Sequence, residues 1–207
     1  MFCIYIGIVL KFPLLQITEA EIIEGCKAAK RDLQKALYQR FSGKMFAVCL
    51  RYSKSREEAE DILQDAFIKV YSNINQYIAT GSFEGWIRRI MVNTALEALR
   101  KKKIDYSEVE IQDLEDSIEN VHDVMSKIGM NDLLTFIQQL PAGYRAVFNL
   151  YAIEGYQHKE IAGMLNISEG TSRSQLARAR QLLQEKIKHS QQVAKPIELK
   201  YSIPAHE

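Results

Sequence analysis

Apolar side chains recur at helical spacing along the chain, and no long stretch after residue 16 alternates as a strand does. The pattern predicts an all-α protein. Its clearest stripe lies within residues 57–74 and predicts a helix with one buried face. The stripe consists of Ala59, Ile62, Leu63, Ala66, Phe67, Val70 and Ile74.

The opposite side of this predicted helix is polar apart from one residue. It consists of Asp61, Gln64, Asp65 and Ile68. A solvated acidic face is the simplest interpretation of such charges. An isoleucine exposed among carboxylates also suits a protein partner that is basic around an apolar spot. Both interpretations stay open on this segment alone.

A loop and a further helix follow in "INQYIATGSFEGWIRRIMVNTALEALRKKK". The helix is expected to begin near Ser82 and to turn inward Ile87, Ile90, Met91, Thr94 and Ala98. Another face is shared by Arg89, Asn93 and Arg100. Aromatic rings beside cations suit single-stranded nucleic acid, because unstacked bases need flat surfaces and phosphates need positive charge. Alternatively Phe83 and Trp86 are core residues, and at least one of them is expected to be.

Residues 154–187 predict two shorter helices joined by a tight turn. Asn166 tolerates the left-handed conformation that the turn needs, and Ser168 can cap the second helix. The inner side of that helix carries Ser172, Leu176, Ala179, Leu183 and Ile187; the opposite side carries Gly170, Ser174 and Arg178, flanked by Arg173 and Gln175. This arrangement is typical of a helix-turn-helix whose second helix enters the major groove. An ordinary helical hairpin with a solvated basic face is the alternative.

Charge is balanced overall but unevenly distributed. The chain has 27 basic and 26 acidic residues, so nucleic-acid affinity must come from their placement. Four consecutive cations, Arg100–Lys103, precede an acidic stretch with few large apolar residues, which indicates a linker. We therefore predict two small helical domains. The expected segments are an N-terminal extension (1–17), a first domain (18–103), the acidic linker (104–127), a second domain (128–190) and a tail (191–207).

Several classes of site and location have no support in the sequence. Cys3, Cys26 and Cys49 are widely spaced, so neither zinc nor a disulfide framework is expected, and free thiols indicate a reducing cytoplasm. The apolar segment "MFCIYIGIVLKFPLLQ" is too short to span a bilayer and lacks signal-peptide features, so no membrane insertion is expected. The sequence contains no paired carboxylates with a histidine, no Gly-rich phosphate loop and no nucleophile motif. It therefore predicts that the protein is not an enzyme, with no catalytic residue and no cofactor.

Three stretches together resemble one family. "REEAEDILQDAFIKVYSNI", "GSFEGWIRRIMVNTALEALRKKK" and "LPAGYRAVFNLYAIEGYQHKEIAGMLNISEGTSRSQLARARQLL" are similar to bacterial sigma-70 class sigma factors, specifically the small two-domain extracytoplasmic-function (ECF) group. They cover much of the chain, in the family's order. The resemblance implies a factor that binds core RNA polymerase and directs promoter-specific transcription initiation.

The resemblance also implies partners and a role for each surface. Asp61, Gln64, Asp65 and Ile68 would dock on the clamp helices of the largest catalytic subunit of RNA polymerase. The loop from Asn75 to Phe83 would capture a flipped base of the −10 element, with Asn93 lining the pocket. The residues implied in −10 binding are Asn75, Tyr77, Phe83, Trp86, Arg89, Asn93 and Arg100; those implied in −35 duplex binding are Lys159, Gly170, Thr171, Arg173, Ser174, Gln175 and Arg178.

Three further expectations rest on the resemblance alone. The acidic linker would thread toward the RNA path of the polymerase. The polymerase flap region would be a second contact, and an anti-sigma factor would be a further partner.

Two residues depart from the family pattern: Asn166 replaces a common Gly in the turn, and Ser172 takes an inner position usually filled by Val.

Two other functions remain open at this point. A conventional helix-turn-helix regulator would bind a palindromic duplex and would need self-complementary surfaces. The aromatic loop beside Asn93 would then have no task. A helical scaffold with a basic face would bind nucleic acid without sequence preference and with strong salt dependence.

Overall fold

The computed structural model describes residues 17–101 and 129–193, and every regular element within these ranges is a helix. This confirms the predicted all-α class. The predicted linker 104–127 lies outside the described residues, as do residues 1–16 and 194–207. The elements are α1 (Glu19–Lys27), α2 (Arg31–Tyr52), α3 (Arg56–Asn73), a 3₁₀ turn (Ile74–Gln76), α4 (Phe83–Lys101), α5 (Met130–Gln138), α6 (Ala142–Phe148), a π-helical turn (Asn149–Ile153), α7 (His158–Leu165) and α8 (Glu169–Val193).

The chain divides into two compact units. The first contains the described residues up to Cys49 together with Glu57–Ala95. The second contains Leu50–Arg56 and the described residues from Leu96 onward. The ends of α2 and α4 thus group with the C-terminal helices. The boundaries drawn from composition, 18–103 and 128–190, stay a prediction because the residues between them lie outside the described ranges.

The core of the first unit is formed by one face from each of α2, α3 and α4. The stripe predicted on α3 is confirmed, since each of its side chains is at most 6% exposed. On α4, Ile87, Met91 and Thr94 are buried as predicted, whereas Ile90 and Ala98 are only half-buried. The contribution of α2 comes from Ala36, Leu37, Phe41, Met45, Val48 and Cys49.

The start of α1 is defined by a reciprocal cap. The Thr18 backbone N–H donates to Glu21 Oε2 at 2.8 Å, and the Glu21 N–H donates to Thr18 Oγ1 at 3.2 Å. These bonds satisfy two donors that a helix N-terminus otherwise leaves open. Hydrogen bonds from Thr18 also hold the pKa of the Glu21 carboxyl below its ordinary value.

The last turn of α2 belongs to the second unit and is held by side chains of that unit. Gln138 Nε2 donates to the Leu50 carbonyl at 3.0 Å, and Asn149 Nδ2 donates to the Arg51 carbonyl at 2.7 Å. The Arg51 side chain pairs with Glu154 at 2.7 Å, and these side chains are 18% and 6% exposed. The final carbonyls of a helix have no partner inside the helix. These bonds therefore explain why this end of α2 groups with the second unit.

Two cysteines lie in the described part of the chain, Cys26 and Cys49, and both are buried and outside any disulfide bond. Burial raises the pKa of the Cys26 thiol to about 11, which makes it a poor nucleophile at neutral pH. Within residues 17–101 and 129–193, no group of three or more His, Cys, Asp or Glu side chains is arranged to hold a metal ion. In the same ranges no helix is long and apolar enough to cross a membrane.

Close packing of α1 against α2 leaves no room for a side chain at Gly25. A Cβ there would overlap Leu33 Cδ1 and lie 2.7 Å from Leu33 Cβ. We expect Gly25→Ala to lower the free energy of unfolding by about 1–3 kcal/mol, the usual cost of overpacking. Urea denaturation of the full chain measures this change.

Gly43→Ala is the matched control, because a Cβ at this exposed position in α2 meets nothing within 4 Å. This variant is expected to gain about 0.5–1 kcal/mol from the better helix propensity of alanine. Equal effects of the two substitutions would contradict the close approach of α1 to Leu33.

Candidate functional site

The acidic face predicted on α3 is exposed. Asp61, Gln64 and Asp65 all lie on the surface, and the Ile68 side chain is 63% exposed beside them. When a partner buries an isoleucine that is this exposed, the free energy of the complex falls. The surrounding carboxylates favour a partner that carries positive charge. The face has the composition of a protein-binding surface.

The aromatic residues around the start of α4 form one cluster. Phe83 stacks on Trp86 with ring centroids 5.8 Å apart, and the Tyr77 ring lies 5.0 Å from Phe83 and 5.5 Å from Trp86. Phe83 is fully buried and also contacts Phe41 edge-on at 5.6 Å. The expectation that at least one ring belongs to the core is confirmed for Phe83. Tyr77 and Trp86 are only half-buried, so they can offer ring surface to a ligand.

The loop before α4 has a shape set by its own residues. The Tyr77 hydroxyl donates to the Gly81 carbonyl at 2.7 Å and closes the loop. Ala79 adopts the left-handed conformation at φ +56°, which is uncommon for a residue with a side chain. Ile78 is 77% exposed beside it. Sequence reasoning missed Ile78, because nothing in the pattern distinguishes an apolar residue at a loop apex from one that packs inward.

The outer face of α4 carries the polar groups predicted for it. Arg89, Asn93 and Arg100 are exposed. They recur at helical spacing and therefore form one line along the helix. Asn75 is also exposed, in the 3₁₀ turn that precedes the loop. Within the first unit, the loop, Arg89 and Asn93 combine half-buried rings with a cation and amides, as a single-stranded nucleic-acid site requires.

The turn between α7 and α8 has the predicted geometry. Asn166 lies in the left-handed region with φ 55° and ψ 50°. Ser168 caps α8, since its Oγ accepts the Thr171 N–H at 2.9 Å. A second cap begins α7, where the Gln157 N–H donates to Glu160 Oε2 at 2.8 Å. The replacement of glycine by Asn166 is therefore accommodated, and the helix-turn-helix geometry is confirmed.

The inner face of α8 is buried as predicted, with no residue of it more than 4% exposed. On the outer face Gly170 and Arg173 are exposed, while Thr171, Ser174 and Arg178 are half-buried; Lys159 is exposed on α7. Gln175 differs from the prediction, since it is 1% exposed. It lies only about 40° around the helix from the buried Ala179, which places it on the edge of the core. Its side chain is thus not presented to a ligand in this structure.

The unusual Ser172 has a polar partner that sequence reasoning missed. His158 Nδ1 lies 2.8 Å from Ser172 Oγ, and the His158 ring stacks on Tyr151 with centroids 4.5 Å apart. The guanidinium of Arg180 lies 5.8 Å from the centroid of the Tyr151 ring. His158 and Ser172 are fourteen positions apart in the sequence. A signal was present, because a hydroxyl on an otherwise apolar face requires a hydrogen-bond partner.

His158 makes the stability of the protein sensitive to pH. Burial, then Arg173 and Arg180, lower the pKa of His158 from its ordinary 6.5, against a smaller opposing effect of Glu169. The unfolded chain therefore binds this proton more readily than the folded chain. The neutral His158 ring therefore stabilises the fold fully at pH values above the pKa that histidine has in the unfolded chain. This stabilisation is lost as the pH falls from there through the lower pKa of the folded chain. We expect the wild-type chain to lose more stability than His158→Gln between about pH 7.5 and about pH 5.5.

Urea denaturation of both proteins at a series of pH values measures this difference. Glutamine keeps a hydrogen-bonding group at the position but does not titrate. Contributions from all other ionisable groups cancel in the comparison. Parallel stability profiles for the two proteins would show that His158 does not control the acid response.

Comparison with known proteins adds an independent line of information. The family profile of Sigma-70 region 2 matches residues 37–104, and that of Sigma-70, region 4 matches residues 130–183. The chain is 30% identical to the ECF RNA polymerase sigma factor SigW of Bacillus subtilis, over 80% of this chain and 95% of that one. It is 27% identical to the ECF RNA polymerase sigma-E factor of Escherichia coli K12, over 83% and 95% of the two chains.

A further relative is longer than this chain. The ECF RNA polymerase sigma factor SigE of Mycolicibacterium smegmatis is 32% identical over 76% of this chain, and the match spans 63% of that relative's length. The two profile matches follow the order of the predicted domains. The first covers α3, the aromatic loop and α4, and the second covers α7 and α8 as far as residue 183.

Proposed function

The chain belongs to the ECF group of RNA polymerase sigma factors, and from this premise we propose which of its surfaces bind polymerase and promoter DNA. A sigma factor directs promoter-specific transcription initiation and is not an enzyme. The single observation that carries the assignment of surfaces is the presence of three separate exposed faces. They are the acidic face of α3, the loop with the outer line of α4, and the outer face of α8.

The acidic face of α3 is the proposed docking surface for core RNA polymerase. Asp61, Gln64 and Asp65 surround Ile68, whose exposure gives the surface an apolar centre with a charged rim. A basic surface with an apolar pocket on the polymerase would complement it. We assign this complementary surface to the clamp helices of the largest catalytic subunit.

Reversal of one charge on this face tests the docking proposal. We expect Asp65→Arg to abolish binding to core polymerase, because a cation would then meet a basic partner surface and like charges in an interface cost several kcal/mol. The measurement is co-purification with core polymerase from the source organism, followed by run-off transcription on a pool of its promoter fragments. The wild-type chain should yield discrete transcripts, and the variant none.

Glu24→Arg is the control, since it reverses an exposed charge on α1 and leaves the α3 face unchanged. It should bind and transcribe as the wild type does, with both variants folded by circular dichroism. Normal co-purification of Asp65→Arg would refute the docking surface. If the wild-type chain bound duplex DNA but yielded no transcript, a conventional regulator would be favoured instead.

The loop and the outer line of α4 form the proposed −10 site. Tyr77 and Trp86 offer half-buried rings on which a base extruded from the duplex can stack. Asn93 and Asn75 supply amides for its edge, and Arg89 and Arg100 supply charge for phosphates. Phe83 is buried and is assigned a supporting role beneath the two rings. The binding energy of the captured base then favours strand opening without bond chemistry by this protein.

The outer face of α8 is the proposed reader of the −35 duplex. Arg173 and Arg178 can form bidentate contacts with bases or phosphates, and Lys159 adds a charge from α7. Small residues at Gly170, Thr171 and Ser174 allow α8 to approach the groove closely. The burial of Gln175 removes it from this set.

Two substitutions separate the −35 and −10 roles. Arg178→Ala should weaken binding to −35 duplex by about 1–3 kcal/mol and leave activity on a pre-melted template unchanged. Trp86→Ala should leave −35 affinity unchanged and weaken opening at −10 by about 1–3 kcal/mol, the value of one base–ring stack. Duplex binding assays and permanganate footprints of the holoenzyme measure these effects. An equal loss in both assays for either variant would contradict the assignment.

The remaining partners are proposed from family membership. The polymerase flap region is the expected contact of the second unit, and an anti-sigma factor is an expected regulator. The acidic linker 104–127, outside the described residues, is expected to run toward the RNA path. Because its polymerase and promoter partners are cytoplasmic, the protein is expected to act in the cytoplasm without membrane insertion.

A further inference from the structure

The departure of Ser172 from the usual apolar residue is matched by a polar group on the neighbouring helix. Ser172 is fully buried in the first turn of α8, and its Oγ lies 2.8 Å from His158 Nδ1 at the first residue of α7. A buried hydroxyl that loses its partner destabilises the fold. The buried Ser172 hydroxyl therefore requires the His158 ring, which is itself half-buried. The pair joins the starts of the two helices of the helix-turn-helix.

The His158 ring is held from a second direction. It stacks on Tyr151 with ring planes 21° apart, and Arg180 lies near the same tyrosine. Tyr151 is part of the π-helical turn Asn149–Ile153, so the ring is held by residues of two other elements, this turn and α8. Stacking fixes the plane of the ring, and the hydrogen bond to Ser172 selects the orientation of Nδ1 within that plane. Hydrogen bonds depend steeply on distance and angle, so Ser172 is restrained to one position.

The position of Ser172 determines where the proposed DNA contacts lie. Arg173 and Ser174 follow it directly on α8, and residues of one helix turn move together. An apolar side chain at position 172 would tolerate small shifts along its neighbour, whereas a hydrogen bond does not.

We propose that His158 is a positioning residue for −35 recognition. Through Ser172 it sets the depth and rotation at which α8 presents Arg173 and Ser174 to duplex DNA. This inference rests on the proposed −35 role of α8. It assigns a task to a residue that does not itself touch DNA.

A double-mutant cycle tests the proposal. Ser172→Ala leaves His158 Nδ1 without its partner, and His158→Phe keeps a ring against Tyr151 but leaves the Ser172 hydroxyl unpaired. Each single variant already removes the whole bond, so the double variant removes nothing further from the positioning of α8. We expect each single variant and the double variant alike to bind −35 duplex about tenfold more weakly than wild type, so that the two effects do not add.

The probe is a labelled duplex carrying the −35 segment of a promoter recovered by run-off transcription, and a duplex with that segment scrambled is the reference. Holoenzyme is assembled from each full-length variant and core polymerase. Binding is measured well below the melting temperature of every variant. Core binding and activity on a pre-melted template should be unchanged in all of them.

The outcomes separate three explanations. Equal weakening in both single variants and in the double variant supports the positioning role. Lower melting temperatures with unchanged −35 affinity would show that the pair only stabilises the fold and would overturn the proposal, as would recovery of −35 affinity in the double variant, which keeps no directional bond. If wild-type holoenzyme failed to distinguish the two duplexes, the −35 role itself would fall, and the positioning role with it.

Discussion

Full burial of one side of α3 and of one side of α8 fixes what each helix shows to solvent. With 3.6 residues per turn, the direction of every other side chain follows once the buried stripe is set. Each large apolar side chain in such a stripe contributes roughly 1.5–3 kcal/mol on burial. Rotation of α3 to cover Ile68 would expose Phe67 or Ala66 instead. Core packing therefore maintains the exposed isoleucine and its acidic neighbours even without a partner.

The second unit satisfies buried polar groups with hydrogen bonds between segments that are far apart in the sequence. In the second unit, side chains from α5 and the π-helical turn complete the hydrogen bonds of the Leu50 and Arg51 carbonyls. Ser172 replaces an apolar contact by a directional bond to His158. Apolar packing supplies most of the stability, whereas directional bonds restrict which arrangement of the packed helices is adopted. The face of α8 that we propose to read DNA depends on both effects.

Local patterns in the sequence were sufficient for most of the fold. The α3 stripe, the inner face of α8 and the left-handed Asn166 follow from residues a few positions apart. Gln175 was misplaced because it sits at the border of two faces, where a small angular difference decides between core and surface. The partner of Ser172 and the grouping of the α2 end with the C-terminal helices depend on residues far apart in sequence. No periodicity encodes them, so they required the three-dimensional structure.

The loop that joins the 3₁₀ turn to α4 has one property of a separate kind. Its ends are anchored by the Tyr77 hydroxyl on the Gly81 carbonyl and by the packing of Tyr77 against Phe83, while residues 78–80 project into solvent. The shape of the loop thus depends on its anchors and on the left-handed backbone at Ala79, while the side chains at positions 78 and 80 are free to vary. Natural selection or a protein engineer can exchange Ile78 and Thr80 while a residue that tolerates this backbone is kept at position 79. Under the proposed −10 role of the loop, new promoter preferences can then arise on an unchanged scaffold, with little loss of stability.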